Sequence, residues 1–261
     1  MKPVLSKESA QMLSKVPEVT ILFWVIKVMG TTVGETAADF LSFNLHLGLT
    51  ITSVFMGGLL LVSLFTQIRY KRYVPWIYWV TVVLISIVGT LITDDLVDNF
   101  GVPLKTTTII FSILLMVTFI AWYMSEKTLS IHSIYTTKRE LFYWAAILFT
   151  FALGTAAGDL TSEGLHLGYV ISTVIFAASI GAVVIGFYLF KLDAILSFWI
   201  AYILTRPLGA SCGDLLIQPI ANGGLGMSTF TINVICLFTI SALVLYLTVT
   251  PCRSGHLKNR D

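Results

Sequence analysis

The sequence predicts an all-α integral membrane protein with eight transmembrane helices, arranged as four helical-hairpin repeats in two parallel pseudo-symmetric halves. Three observations predict this fold: the composition, eight long apolar stretches and a fourfold internal repeat. Of the 261 residues, 56% are hydrophobic and only 11% are charged, whereas soluble domains usually carry about 25% charged residues. Because such a chain cannot cover its surface with polar side chains, we expect it to lie in the lipid bilayer, which is therefore its predicted partner.

The apolar stretches set the number of helices. A helix needs roughly 20 residues to cross the hydrocarbon, at about 1.5 Å per residue. Eight stretches of the chain satisfy this length. Their predicted limits are 18–39, 46–68, 74–94, 104–125, 140–159, 167–190, 194–214 and 228–250.

A tryptophan, a glycine and an aspartate recur at fixed spacing in the four odd-numbered stretches. The glycine follows the tryptophan by ten residues and the aspartate follows it by fifteen, without a gap in any copy. The four sets are Trp24, Gly34 and Asp39; Trp79, Gly89 and Asp94; Trp144, Gly154 and Asp159; and Trp199, Gly209 and Asp214. Such self-similarity indicates a repeat architecture, and each repeat is expected to form one hairpin of an odd and an even helix.

A longer period divides the chain into two halves within a single membrane domain, 1–261. At an offset of 120 residues, Trp24 maps to Trp144 and the segment 45–48 maps to 165–168. The halves are 16–128 and 138–250, each with two repeats. Four spans return the chain to the side it left, so the halves must share one orientation, related by an axis along the membrane normal.

The basic residues predict the orientation. Cytoplasmic loops carry an excess of Lys and Arg, and these residues cluster at the tryptophan ends of the helices. They are Lys7, Lys15, Arg69, Lys71, Arg72, Lys127, Lys138, Arg139, Lys191, Arg253, Lys258 and Arg260. Both termini are therefore expected in the cytoplasm, with the aspartate ends outside.

The odd helices are expected to lie inside the bundle and the even helices to face lipid. Gly, Ala, Ser and Thr dominate between each repeat glycine and its aspartate, and small residues let helix backbones approach closely in a membrane. The even helices are richer in large apolar residues. The repeat tryptophans are expected to be interface anchors or packing residues rather than ligand platforms.

The four repeat aspartates allow two interpretations. Each could cap a helix end or face the outer water. Alternatively, the four converge on a cation site or its vestibule, which the equivalence of the repeats favours. The candidate ion-binding residues are Glu35, Asp39, Asp94, Asp159 and Asp214.

Three charged residues break the repeat inside the predicted spans. Glu35 lies one turn before Asp39, where two carboxylates can share a proton or a metal ion. Lys27 and Arg206 are expected to be counter-ions or gating residues, or simply to neutralise neighbouring carboxylates, because intramembrane basic residues usually pair or line a path. Pro207 is expected to kink or break its helix beside Arg206.

Other polar residues near the outer ends offer weaker signals. His46 and His166 occupy matching positions in the halves and are candidate proton or metal ligands, or ordinary interfacial residues. Asp95, Asp98 and Glu163 are expected to make the outer mouth acidic. The three cysteines have no metal-ligand spacing. The scattered basic residues argue against nucleic acid as a partner.

Together, the four copies of the repeat resemble a bacterial family of integral membrane proteins that contain four tandem copies of a repeat of unknown function. Each copy there has two transmembrane segments and a characteristic tryptophan. The resemblance covers residues 16–250, and the segments 15–20 and 31–36, with Lys27, look typical of its first repeat. It implies the fold and a location in the bacterial cytoplasmic (inner) membrane, but no activity.

The leading functional hypothesis is a secondary transporter of a small cation, a divalent metal ion or one exchanged for protons. One alternative is a transporter of a small organic anion that Lys27 and Arg206 would bind. Another is a membrane sensor or accessory protein without a transport cycle. No nucleophile–base pair, P-loop or zincin helix is present, so the chain is not expected to be an enzyme. No cofactor is expected beyond a bound divalent cation, and homo-oligomerisation stays open.

Overall fold

The structure, a computed structural model, describes residues 15–250, and this part of the chain contains eight long α-helices. They are α1 Ile21–Asp39, α2 Leu49–Arg69, α3 Pro75–Asp94, α4 Leu104–Glu126, α5 Thr137–Asp159, α6 Gly168–Leu189, α7 Ala194–Ile217 and α8 Thr229–Val249. Each is long and apolar enough to cross a membrane. The predictions for Lys7, Cys252, Arg253, Lys258 and Arg260 lie outside the described residues.

Each α-helix begins and ends within three residues of its predicted limits. Local capping explains several starts: the side chain of Thr20 accepts from the N–H of Phe23, and Asp193 accepts from Leu196. Two features differ from expectation. Helices α1, α3 and α5 continue into π-helical turns, Phe40–Asn44, Asp95–Asn99 and Leu160–Gly164, and α7 runs unbroken through Pro207. The helix is therefore not broken at this proline, and the expected kink stays a prediction.

The four odd helices form a closed inner ring. Helix α1 packs on α3, α3 on α5, α5 on α7 and α7 on α1. Consequently α1 lies diagonally opposite α5, and α3 opposite α7. In the most apolar stretch of each odd helix, 56% to 72% of the residues are buried inside the bundle, against 11% to 28% in the even helices. The prediction of inner odd helices and outer even helices is confirmed.

The predicted pairing within each repeat is wrong. Each even helix packs along the odd helix that follows it: α2 on α3, α4 on α5 and α6 on α7, while α8 packs on α1. Within the described residues, the two helices of one repeat are consecutive in the chain but touch little along their lengths. The order of the helices along the chain therefore does not determine which helices pack together; the fit of their side chains does.

The repeat glycines are the contact points of the ring. A Cβ atom on Gly34 would overlap Ser86 of α3, and one on Gly89 would overlap Phe151 of α5. In the same way, a Cβ atom on Gly154 would overlap Arg206 of α7, and one on Gly209 would overlap Thr31 of α1. Each of these neighbours stands three residues before its own repeat glycine. The four contacts thus follow one rule around the ring, and the last returns to the first helix.

Aromatic side chains fill the tryptophan end of the ring. Trp79, Trp144 and Trp199 are buried, so they are packing residues. The hydroxyl oxygens of Tyr78 and Tyr143 are 2.6 Å apart, which joins α3 to α5. This layer closes the ring at the end opposite the aspartates.

Candidate functional site

A cavity of about 550 Å³ lies at the aspartate end of the inner ring. Residues of all four odd helices line it, together with residues from the segments that follow them. Its carboxylates are Glu35, Asp39, Asp94, Asp98, Asp159, Glu163 and Asp214. Among its described lining residues there is no lysine, arginine or histidine, so its carboxylates face one another without a basic partner in the wall.

All four repeat aspartates line this one cavity, each from a different inner helix. The chain therefore brings together Glu35 and the four aspartates, the set of residues that the sequence singles out. Ion binding by this set stays a prediction. Carboxylates gathered in a concave site create a negative potential that attracts cations.

The aspartates do not cap helix ends. Asp39, Asp94 and Asp159 stand where an α-helix passes into a π-helical turn, and their side chains form no capping hydrogen bond there. Asp214 lies within α7, which continues to Ile217. A π-helical turn widens the helix and is often found at functional sites. Here it lies at the wall of the cavity in three repeats.

Below the aspartates, the Arg206 side chain crosses the ring. Its Nη2 atom donates to Glu35 Oε2 at 3.1 Å and to Thr155 Oγ1 at 2.6 Å, and also to Thr90 Oγ1. Its Nη1 atom donates to the carbonyl oxygen of Thr31 at 3.4 Å. An α7 side chain thus reaches α1, α5 and the diagonally opposite α3, so its guanidinium group lies on the ring axis.

The side-chain partners of Arg206 occupy one layer of the repeat. Glu35, Thr90 and Thr155 each directly follow their repeat glycine, and the fourth residue of this layer is Ala210. The sequence singles out Glu35 and Arg206 by their charge but gives no reason to select the two threonines. Their position directly after the glycine is the signal that could have found them.

Arg206 and Glu35 form a buried ion pair. Arg206 is 0% exposed and Glu35 is 5% exposed. A charge in an apolar interior is costly unless it has an opposite charge and hydrogen bonds, and Arg206 has both. Arg206 thus pairs with the carboxylate of Glu35, and its role as a counter-ion or gating residue stays a prediction. Glu35 also lines the cavity, so it connects the ion pair to the acidic space above.

Lys27 lies deeper in the ring and differs from Arg206. It is 0% exposed, and its Nζ atom has no hydrogen-bond partner among the described residues. The Nζ atom lies 4.3 Å from the ring centroid of Phe151 and 4.2 Å from that of Tyr202. Within the described part of the chain Lys27 forms no ion pair, so the idea that it neutralises a carboxylate is not supported.

A second buried ion pair closes the tryptophan end. Lys15 Nζ lies 2.5 Å from Glu140 Oε2 and donates to the carbonyl oxygen of Ile68 at 3.0 Å. Gln67 Nε2 donates to Glu140 Oε1 at 3.4 Å. This cluster ties the segment before α1 to α2 and α5. Sequence reasoning missed it, because Lys15 and Glu140 are 125 residues apart.

The two histidines lie away from this site. His46 and His166 are exposed in the loops after the first and third π-helical turns, both with a left-handed backbone conformation, φ 56°. Neither lines the cavity. Asp95 also points elsewhere and accepts a hydrogen bond from Thr50 of α2 at 3.1 Å. Of the three residues predicted to make the outer mouth acidic, Asp98 and Glu163 line the cavity.

The carboxylates are not gathered tightly enough for a dehydrated metal ion. Within residues 15–250, no group of three or more His, Cys, Asp or Glu side chains is arranged to hold one. A metal site at Glu35 and Asp39 therefore stays a prediction that would require further ligands, such as water.

The fold and the site define a class: bundles of eight helices long and apolar enough to cross a membrane, with an acidic cavity at one end of a four-helix ring. The chain belongs to the family described as Repeat of Unknown Function (DUF347), whose repeat matches residues 22–73, 77–128, 142–192 and 197–251. These four matches confirm the four tandem repeats that the tryptophans predict. No curated protein and no solved structure matches the chain.

Proposed function

We propose that this protein is a secondary membrane transporter of a small cation, which enters the acidic cavity and interacts with Glu35 and the four repeat aspartates. The observation that carries the proposal is the cavity wall: seven carboxylates, contributed by four helices, with no basic residue among them. Such a wall raises the local concentration of cations and lowers that of anions.

In this proposal the protein lies in the bacterial cytoplasmic membrane with both termini in the cytoplasm, so that the cavity opens outside. The described basic residues at the tryptophan end, such as Arg69, Lys71, Arg72 and Lys127, support this orientation. The two halves are then related by a parallel pseudo-symmetry axis along the membrane normal. The common rule of the four glycine contacts supports that relation.

The mechanism follows from the position of Glu35. This carboxylate faces the cavity and also holds Arg206, so a cation that reaches it competes with the guanidinium group for the same oxygens. In the described conformation, the Arg206 side chain and the aromatic layer close the ring beneath the cavity. Passage requires a conformational change, which is the behaviour of a carrier and not of an open channel.

The organic-anion alternative has less support. It requires Lys27 and Arg206 to face the substrate, yet neither lines the cavity and Arg206 already has four hydrogen-bond partners. An anion would have to pass the carboxylates first. We therefore keep the cation proposal, with a divalent metal ion, a monovalent ion or an organic ammonium ion as its possible cargo.

Flux measurements on the purified protein in liposomes test the proposal. The panel contains monovalent metal ions, divalent metal ions, alkylammonium ions and small carboxylates, each with and without a pH gradient. Glu35→Gln and Asp94→Asn are expected to abolish cation flux while the proteins still insert and unfold cooperatively. Asp95→Asn is the matched control, since Asp95 is the neighbour of Asp94 but does not line the cavity, and it should keep its flux.

Two results would contradict the proposal. One is flux of carboxylates and of no cation. The other is cation flux that Glu35→Gln and Asp94→Asn leave at the level of the unmodified protein.

A further inference from the structure

Most carboxylates of the cavity have no hydrogen-bond donor in the described part of the chain. Glu35 accepts from Arg206, and Glu163 accepts from the hydroxyl group of Tyr169 at 2.8 Å. The side chains of the other five carboxylates in the wall accept no hydrogen bond from the described residues. Asp214 is the clearest case, because it is only 6% exposed and lines the cavity without a donor. Acceptors enclosed in this way require donors from a ligand or from solvent.

These carboxylates stand on opposite walls of the ring. Helix α3 lies opposite α7, and Asp94 and Asp214 line the cavity from these two helices. Axes of packed helices lie about 8–10 Å apart, so the axes of opposite helices in a four-helix ring lie about 11–14 Å apart. Within the described residues, no three acidic, histidine or cysteine side chains are arranged around one metal ion. A ligand with two separate charges can contact both walls at once.

The wall between the carboxylates is apolar. Phe43, Val97, Leu104, Ile217 and Pro219 line the same cavity, and apolar side chains of this kind favour methylene groups. Phe43 is the one aromatic residue among the described lining residues, whereas quaternary ammonium ions are recognised by cages of several aromatic rings. A primary ammonium group suits this wall better, because it brings three N–H donors to the carboxylate oxygens.

We infer that the cargo is a linear organic cation with a primary ammonium group at each end, a diamine or a longer polyamine. The inference rests on the proposed function and narrows its substrate class. One ammonium group would donate to Asp94 and the other to Asp214, with the methylene chain between them beside the apolar residues. The cavity volume of about 550 Å³ lies within the range of about 300–1,000 Å³ that is usual for small-molecule sites.

Binding measurements on the purified protein in detergent test the inference. Putrescine, a four-carbon diamine, is compared by isothermal titration calorimetry with spermidine, n-butylamine, tetramethylammonium and Mg²⁺. Putrescine should bind about tenfold more tightly than n-butylamine, because its second ammonium group binds within the same cavity. Mg²⁺ has the same charge as putrescine and should bind more weakly, as should tetramethylammonium.

Variants of the two walls locate the binding. Asp214→Asn should weaken putrescine binding about tenfold and n-butylamine binding by less, because it removes one of two anchors for the diamine. Asp94→Asn on the opposite wall should do the same, and it serves as the second variant if Asp214→Asn does not fold. Asp95→Asn is the control and should keep the affinity for putrescine, since Asp95 does not line the cavity.

Flux of the same probes and of K⁺ in proteoliposomes separates this inference from the proposed function. Flux of no cation overturns the proposed function. Flux of K⁺ or Mg²⁺ without binding or flux of putrescine and spermidine overturns only the substrate class. Tighter binding of Mg²⁺ than of putrescine overturns the substrate class as well, and so does equal binding of putrescine and n-butylamine.

Discussion

The inner ring and the outer helices of this protein differ in a direction opposite to that of a soluble protein. Helix α6, in the outer layer, has a mean hydropathy of 2.4 in its most apolar stretch, and 11% of that stretch is buried. Helix α1, in the ring, has a mean hydropathy of 1.2, and 61% is buried. The less apolar helix is thus the more enclosed one.

The difference shows what selects a neighbour in each region. The outer helices present mostly apolar side chains, and only a small share of each helix is buried inside the bundle. The ring helices carry glycines, hydroxyl groups and charges, which make few arrangements acceptable: each glycine admits one side chain, and each buried charge needs a partner. Steric fit and polar pairing therefore dominate the contacts within the ring, whereas apolar contacts dominate outside it.

The largest predicted contrast is between two arginines. Arg206→Met should lower the free energy of unfolding by about 3–5 kcal/mol, because it leaves Glu35 buried without its counter-charge. Arg69→Met at the end of α2 should cost about 1 kcal/mol or less, since Arg69 is exposed and only stacks on Phe65. Chemical denaturation in detergent micelles measures both. Equal losses would mean that the axial ion pair contributes nothing specific to the ring.

A pair of glycines gives the next contrast, with opposite signs. Gly154→Ala should destabilise the protein by about 1–3 kcal/mol, because the new Cβ overlaps Arg206 and lies 3.1 Å from Pro207 Cδ. Gly181→Ala on α6 meets no atom within 4 Å. It should leave stability unchanged or raise it by up to about 1 kcal/mol through its helix propensity. Thermal unfolding of the two variants compares them, and destabilisation by Gly181→Ala alone would refute the contrast.

The smallest predicted effect concerns the contact between the two regions. Asn233 of α8 donates to the carbonyl oxygen of Thr36 at 3.0 Å and accepts from its hydroxyl group at 2.8 Å. Asn233→Ala should cost about 0.6–1.7 kcal/mol, the range of interhelical hydrogen bonds in membranes. Thr239→Ala on the same helix is the control, because its hydroxyl donates only to its own helix at Ile235. If both substitutions lower the stability equally, the hydrogen bonds between Asn233 and Thr36 do not contribute to the packing of α8 on α1.

Much of the fold could be predicted from the sequence because its signals are local. The length of each apolar stretch sets the helix limits, and the small residues around Gly34 and its equivalents separate inner from outer helices. The shared spacing also predicts that Asp39, Asp94, Asp159 and Asp214 meet. These features depend on one helix at a time, or on the symmetry of the repeats.

What the sequence could not predict depends on contacts between distant residues. Nothing in α2 indicates that it packs on α3 and not on α1, since both present small and apolar residues. The hydroxyl partners of Arg206 come from α3 and α5. The position of Thr90 and Thr155 directly after their repeat glycines marks a shared layer, but it does not show that a charge from α7 enters that layer. For the same reason, Lys27 could be expected to pair with a carboxylate, whereas the fold places aromatic rings beside it. Only packing decides these partners.

The seating of α8 on α1 has a consequence for the order of biosynthesis. Among the eight described helices, α1 is synthesised before the others, whereas two of its neighbours, α7 and α8, are synthesised after the other six. Domains generally form from the N-terminus while the chain is still being synthesised. Glu35 of α1 therefore cannot pair with Arg206 until the fourth repeat has been synthesised. Truncation by a single repeat would therefore leave the first helix without two of its neighbours.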